Sequence, residues 1–118
     1  MNIPEESTLL RIYLGESDRS GHQPLYQAIV EKARDNHLAG ATVLRGSLGF
    51  GKSSRLHTAK ILRLSMDLPI VIEIIDTEEK IAGFLPALKE MMAGGLVTTQ
   101  PIRVIHYGAG PEKENPTV

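Results

Sequence analysis

Hydrophobic residues in the first third of the chain change from strand-like to helix-like spacing. Residues 8–14 (TLLRIYL) are mostly branched or apolar, which predicts a first β-strand. Pro24 suits the first position of a helix, where its missing N–H costs nothing. The apolar residues that follow recur every fourth position, at Leu25, Ile29 and Ala33. This spacing predicts an amphipathic helix that ends near residues 36–37.

The middle of the chain also changes from strand-like to helix-like spacing, with two predicted strands before a second predicted helix. Residues 41–44 (ATVL) predict the second strand. Residues 69–76 (PIVIEIID) are apolar on both faces up to Glu73, which is typical of a strand at the centre of a sheet. Asp76 and Glu79 resemble a capping box at the start of a second helix. The predicted apolar face of that helix consists of Ile81, Leu85, Leu88 and Met92.

A fourth strand is predicted at residues 102–107, so the predicted order is βαββαβ. Right-handed crossovers then place both helices on one face of an antiparallel sheet. The predicted fold class is a ferredoxin-like α+β sandwich formed by one domain, residues 1–107, with a flexible tail at 108–118. The sheet face without helices would leave apolar residues in water, so we expect the protein to be an oligomer that buries this face.

Composition narrows the classes of function. The chain has 118 residues, 42% hydrophobic and 23% charged, with a net charge of −1. This balance argues against binding nucleic acid through bulk charge. The chain has no cysteine, which excludes disulfides, thiolate zinc sites and cysteine nucleophiles. Because no leader or membrane-spanning stretch is recognisable, we expect a cytoplasmic protein without direct membrane insertion.

Charge is distributed unevenly. The 31 residues between Asp35 and Asp67 contain no acidic residue but five of the thirteen Lys and Arg residues. Three glycines, at 46, 49 and 51, lie in the same stretch. Glycine-rich backbone can present N–H groups to an anion, and arginine can bind phosphate in a bidentate manner. The segment is interpreted either as a phosphate site or as a solvated loop whose charge aids solubility.

One motif in this segment indicates an enzyme as an alternative. GSLGFGKS at 46–53 matches the P-loop pattern, in which Lys52 would bind phosphates and Ser53 would bind magnesium. A P-loop follows the first parallel strand of a sheet and opens a helix, whereas this motif follows the second strand of an antiparallel layout. Asp76, which follows the apolar run of the third strand, is the downstream acid that could bind the magnesium. A nucleotide hydrolase is therefore kept only as an alternative.

Several stretches together resemble a known family. They include LLRIYLGESDR (9–19), LAGATVLRGSLGFG (38–51) and DLPIVIEIIDTEEKI (67–81), and with GLVTTQPIRVI (95–105) the similarity covers nearly the whole chain outside the tail. The chain resembles the PII-like family labelled domain of unknown function 190. The resemblance implies a PII-like subunit that assembles as a trimer.

The same resemblance implies a site and a partner. In PII-like proteins adenine nucleotides bind between subunits, at the base of a long loop that here spans residues 45–66. The nucleotide-binding residues that the resemblance implies are Arg45, Gly46, Gly49, Gly51, Ser54, Arg55 and Arg103, with the connection at 94–98 nearby. Lys52 stands where a small residue is expected in the family; it is a further candidate that either strengthens phosphate binding or has no effect on it. Members are often encoded beside a fluoride channel, which hints at a membrane transporter or channel as partner.

Other charged residues are candidates for pairing with a ligand or with a neighbouring subunit. Glu16, Asp18 and Arg19 follow the first strand, where they are interpreted either as ligand contacts or as turn residues. Glu73 interrupts an apolar strand, so it needs a partner; we expect an intersubunit pair with a loop arginine rather than a catalytic base.

The leading hypothesis is a non-enzymatic signalling module with no catalytic residue and no metal site. AMP, ADP or ATP would act as an effector, and no cofactor is required. The alternatives are the hydrolase described above and a structural adaptor that binds no small molecule.

Overall fold

The computed structural model describes residues 3–50, 57–58 and 67–108. The elements in chain order are β1 (Glu6–Gly15), β2 (Arg19–Ser20), β3 (Gln23–Pro24), α1 (Leu25–Asp35), β4 (Ala41–Arg45), β5 (Leu48–Gly49), β6 (His57–Thr58), β7 (Pro69–Asp76), α2 (Glu78–Met91) and β8 (Leu96–Arg103). The predicted site residues Gly51, Lys52, Ser54 and Arg55, the alternative's Ser53, and the tail beyond residue 108 lie outside the described residues.

The main sheet has four antiparallel strands in the order β4-β7-β1-β8. With one helix after β1 and one after β7, this is the predicted βαββαβ ferredoxin-like topology. Two short hairpins are added to it: β2 pairs with β3 before α1, and β5 pairs with β6 in the segment that follows β4. The fold class predicted from the sequence is confirmed.

The hydrophobic core lies between one face of the sheet and the two helices. Alternate residues of β1 and β7 point into it, as the period of a strand requires. Both helices contribute buried side chains to the same cluster, which places them on one face of the sheet. The fully buried members are Leu10, Ile12, Ile29, Ile70, Ile72, Ile74, Ile81 and Leu88. On α2, Phe84 is buried and Leu85 is partly buried; Met92, the C-cap that follows the helix, is also partly buried.

Within residues 3–50 and 67–108, neither helix packs against the opposite face of the sheet. Four large apolar side chains on this open face are 37–56% exposed: Tyr13, Leu44, Ile75 and Leu96. In the strand register Leu44, Val71, Tyr13 and Leu96 form one continuous row across all four strands. An apolar row of this kind in water is typical of a protein–protein interface. Neither helix of the described residues is long and apolar enough to span a membrane.

The prediction of the last strand was wrong. It runs from Leu96 to Arg103 and not over 102–107, so the region 94–98 is only partly a connection. β8 is an edge strand whose residues are almost all exposed, and it contains polar residues and Pro101. Edge strands tolerate proline and lack the apolar alternation of a half-buried strand, so the pattern did not reveal it.

The start of α2 is also displaced by one residue from the prediction. Thr77 is the N-cap, and its hydroxyl accepts a hydrogen bond from the Lys80 N–H at 3.1 Å. Asp76, the predicted cap, is buried and accepts hydrogen bonds from the N–H groups of Ala39 and Thr77. The carboxylate therefore joins α2 to the segment that precedes β4.

Candidate functional site

The base of the 45–66 loop lies at one edge of the sheet, beside the connection between β1 and α1. Arg45, the last residue of β4, is opposite Ile70 of β7, and Ile70 is opposite Leu14 near the end of β1. The first residues after β1 are therefore neighbours of the first residues after β4. This arrangement brings together Arg45 and Glu16, two predicted site residues that are 29 positions apart.

Arg45 and Glu16 form an ion pair. The Nε and Nη2 atoms of Arg45 donate to the same oxygen of Glu16, Oε2, at 3.0 Å and 2.7 Å. The Glu16 carboxylate, with a smaller contribution from the Tyr26 hydroxyl, raises the pKa of Arg45. The arginine side chain is 49% exposed and the glutamate side chain 20%. Arg45 is thus a fixed positive charge that solvent and ligands can reach.

The two glycines at the loop base have a packing role. The Gly46 N–H donates to the Pro69 carbonyl oxygen at 2.7 Å, so this N–H is engaged within the chain. A Cβ atom at position 49 would lie 2.9 Å from Pro69 Cγ, and one at position 46 would lie 3.3 Å from Pro69 Cβ. Glycine at position 49 permits the loop base to approach the start of β7 this closely, and at position 46 a side chain would fit only if Pro69 shifted slightly.

The connection after β1 is held in place by two aspartates, Asp18, which the sequence offered either as a ligand contact or as a turn residue, and Asp67, which it did not single out. The Gly15 N–H donates to Asp18 Oδ2 and the Ser17 N–H donates to Asp67 Oδ1, both at 3.0 Å. The Leu25 N–H donates to the Asp18 carbonyl oxygen at 2.7 Å, which joins the connection to α1. Glu16 is therefore presented to Arg45 by a backbone that is fixed on both sides.

Arg19 lies apart from this pair, in the β2–β3 hairpin. Its Nη2 atom donates to the carbonyl oxygen of His22 at 2.5 Å, a local hydrogen bond of the kind expected for a turn residue. The structure does not place Arg19 against Arg45 or Glu16, and its predicted role at a ligand or a subunit contact stays a prediction.

Glu73 has a partner within its own chain. Its Oε2 accepts a hydrogen bond from Arg11 Nε at 2.9 Å across the β1–β7 pair, on the open face of the sheet. Glu73 raises the pKa of Arg11. Sequence analysis missed Arg11, although aligning the two predicted strands antiparallel would place it opposite Glu73. The predicted intersubunit pair with a loop arginine stays a prediction.

Arg103 lies at the other end of the sheet. It is opposite Glu6, whereas Arg45 is level with Leu14, so eight strand residues, or about 27 Å, separate them. Arg103 Nε donates to Glu5 Oε2 at 2.5 Å. It lines a shallow groove of about 370 Å³ together with Ile3, Glu5 and residues 104–107. One chain therefore does not bring Arg45 and Arg103 to the same ligand.

The P-loop interpretation finds no support in the described part of the motif. After Gly46 the chain enters β5, a strand of a hairpin, and not a helix. Asp76 lies at the far end of β7 from Pro69, seven residues or about 23 Å from the glycines at the loop base. No group of three or more potential metal ligands occurs among residues 3–50 and 67–108.

Comparison with known proteins identifies the family. Residues 7–104 match DUF190, described as Uncharacterized ACR, COG1993, and the chain belongs to this family. A UPF0166 protein of Aquifex aeolicus (strain VF5) is 40% identical over 98 residues, which cover 83% of this chain and 92% of the relative. The family predicted from the sequence is confirmed.

Solved structures with the same fold are PII-like proteins. CPII, a nitrogen regulatory PII-like protein from Thiomonas intermedia K12 bound to ADP, AMP and bicarbonate, has a TM-score of 0.61 at 18% identity, over 84% of this chain and 88% of CPII. TTHA0516 from Thermus thermophilus, a candidate PII-like signalling protein, has a TM-score of 0.60 at 22% identity, over 85% of this chain and 90% of its own. The subunit therefore has the PII-like fold.

Proposed function

We propose that this protein is a non-enzymatic PII-like regulator. It binds an adenine nucleotide (AMP, ADP or ATP) in clefts between the subunits of a trimer. The nucleotide acts as an effector that changes the state of the loop at residues 45–66, and this loop acts on a partner, a membrane transporter or channel. The protein is expected in the cytoplasm.

The observation that carries this proposal is the position of Arg45. It places a half-exposed guanidinium at the base of the loop, beside the fixed connection after β1. Arginine is suited to phosphate because its planar donors match two phosphate oxygens at once. CPII, which has the same fold, was solved with ADP and AMP. Binding a nucleotide phosphate is therefore the simplest function for the Arg45 guanidinium.

The location of the cleft between subunits is supported by Arg103 and by the open face. Arg45 and Arg103 lie at opposite ends of one sheet, too far apart for one phosphate group. A nucleotide that contacts both arginines would therefore have to lie between two subunits. The exposed apolar row across the open face gives such an assembly its stabilising contact.

An effector can signal only if it binds the two states of the loop with different affinity. Arg45 is the last residue of β4, so a phosphate bound there touches the first residue of the loop. Through this contact the nucleotide shifts the loop from one state to the other, and no covalent bond has to be broken. The proposal is therefore a binding function.

Calorimetric titration with AMP, ADP and ATP tests the proposal directly. We expect at least one nucleotide to bind and Arg45→Ala to weaken its affinity by about tenfold or more, since hydrogen bonds between charged groups contribute about 1.5–3 kcal/mol. Arg34→Ala, which removes an exposed arginine from α1, serves as the control and should bind normally. No heat and no thermal shift with any of the three nucleotides would refute the proposal.

The partner is tested separately. Immobilised protein incubated with detergent-solubilised membranes should retain a transporter or channel, and deletion of residues 46–66 should abolish retention. Retention that is independent of nucleotide would favour the structural adaptor.

A further inference from the structure

In the proposed function Arg45 binds the nucleotide phosphate. In the structure its guanidinium is already paired with a carboxylate, that of Glu16. Glu16 Oε2 accepts hydrogen bonds from both Nε and Nη2 of Arg45. These two donors form one edge of the guanidinium, the edge that would meet two phosphate oxygens in a bidentate contact. A phosphate that uses this edge must first displace the carboxylate.

The geometry of the pair makes it exchangeable. A well-formed arginine–carboxylate pair uses both carboxylate oxygens in two parallel hydrogen bonds. Here both donors converge on Oε2, and Oε1 is buried without a hydrogen-bond partner among the described residues. A buried acceptor without a donor costs free energy. A phosphate group offers Arg45 more acceptor oxygens and more negative charge than this carboxylate does.

The surrounding backbone does not have to move for the exchange. Asp18 and Asp67 hold the N–H groups on both sides of Glu16, and Pro69 holds the N–H of Gly46. Only the side chains of Arg45 and Glu16 need to rotate. The exchange separates the first residue of the loop from the β1–α1 connection.

We propose that Glu16 is a built-in competitor for the phosphate site, so that nucleotide binding requires the release of Arg45 from Glu16. This inference rests on the proposed function. The observed affinity for the nucleotide is lowered in proportion to the fraction of chains in which Arg45 is free. Glu16 thereby raises the nucleotide concentration that is needed to occupy the site.

The test is calorimetric titration of the full chain with ADP, comparing the wild type with Glu16→Gln. Removing the carboxylate charge frees Arg45, and we expect ADP to bind about 3- to 10-fold more tightly. The matched control is Glu31→Gln, which changes the net charge equally but alters a glutamate that pairs with Gln27 on α1. This control should bind ADP as the wild type does.

A double-mutant cycle separates direct competition from a general electrostatic effect. In an Arg45→Ala background Glu16 has no arginine to pair with, so Glu16→Gln should leave the ADP affinity unchanged. A carboxylate that merely repels the nucleotide through space would still tighten binding when it is removed from that background. That second result would overturn the proposal.

The remaining outcomes of the titrations also test the two proposals. If Arg45→Ala weakens ADP binding while Glu16→Gln leaves it equal or weaker than in the wild type, the competitor is refuted and the nucleotide site stands. If neither the wild type nor Glu16→Gln binds AMP, ADP or ATP, both proposals fall, whereas nucleotide binding by Glu16→Gln alone would support the competitor strongly. Should Glu16→Gln not fold, Glu16→Asp, whose shorter side chain cannot hold both donors, should give a smaller increase in affinity.

Discussion

Asp76 offers the sharpest test of how this fold is held together. The residue is 1% exposed, and its carboxylate accepts hydrogen bonds from Ala39 N at 2.8 Å and Thr77 N at 2.7 Å. It therefore joins the segment before β4, which is 37 residues away, to the start of α2. Its role is structural, and the distance from the loop base separates it from the proposed nucleotide site.

Asp76→Ala should lower the free energy of unfolding by about 3–4 kcal/mol. Each hydrogen bond to a charged group contributes about 1.5–3 kcal/mol, and both donors lose their acceptor inside the protein. Asp76→Asn should cost about half as much, because an amide keeps one acceptor oxygen while its NH₂ group faces the second donor.

The assay is urea unfolding at a fixed protein concentration, since the proposed assembly would make apparent stability depend on concentration. Asp35→Ala is the control: the residue is exposed at the end of α1 and its replacement should change stability by less than about 0.5 kcal/mol. A loss of under about 1 kcal/mol for Asp76→Ala would refute the reasoning. Equal losses for Ala and Asn would show that charge matters rather than the number of acceptors.

Three backbone positions yield further predictions. His37 has a φ of 60° at the end of α1, where glycine is preferred, so His37→Gly should raise the unfolding free energy by about 0.5–1 kcal/mol in thermal unfolding; a loss would contradict this. Gly49→Ala should lower it by about 1–3 kcal/mol because the new methyl group would meet Pro69. Gly83→Ala is the contrast: its site in α2 is open, so it should stabilise by about 0.5–1 kcal/mol.

Elements whose local pattern matches their burial could be predicted from the sequence. The strand predicted at 69–76 coincides with β7, because a central strand is apolar on both faces and this pattern is visible in the sequence itself. The helix predicted after Pro24 agrees with α1, whose buried residues include Leu25, Ile29 and Ala33. β8 was misplaced because an exposed edge strand imposes no such pattern.

The partners of the charged residues could not be predicted, since they depend on how the strands assemble. Glu16 and Arg45 are 29 positions apart, and Arg11 and Glu73 are 62 apart. The sequence indicated that Glu73 needs a partner, but the choice of Arg11 follows from the register of two strands. Likewise, the glycines of the loop base suggested an anion site, and their contact with Pro69 became apparent only in three dimensions.

If the proposed nucleotide contacts both Arg45 and Arg103, nucleotide binding and assembly are linked. If one ligand contacts both, it bridges two subunits, so a variant that cannot assemble should not bind even with both arginines intact. Ile75→Lys puts a charge on the open face and should give a monomer by light scattering, with ADP binding weakened at least tenfold in calorimetry. Ile75→Val, which keeps an apolar side chain there, should retain both properties. A monomeric Ile75→Lys protein that binds ADP like the wild type would place the whole site within one chain.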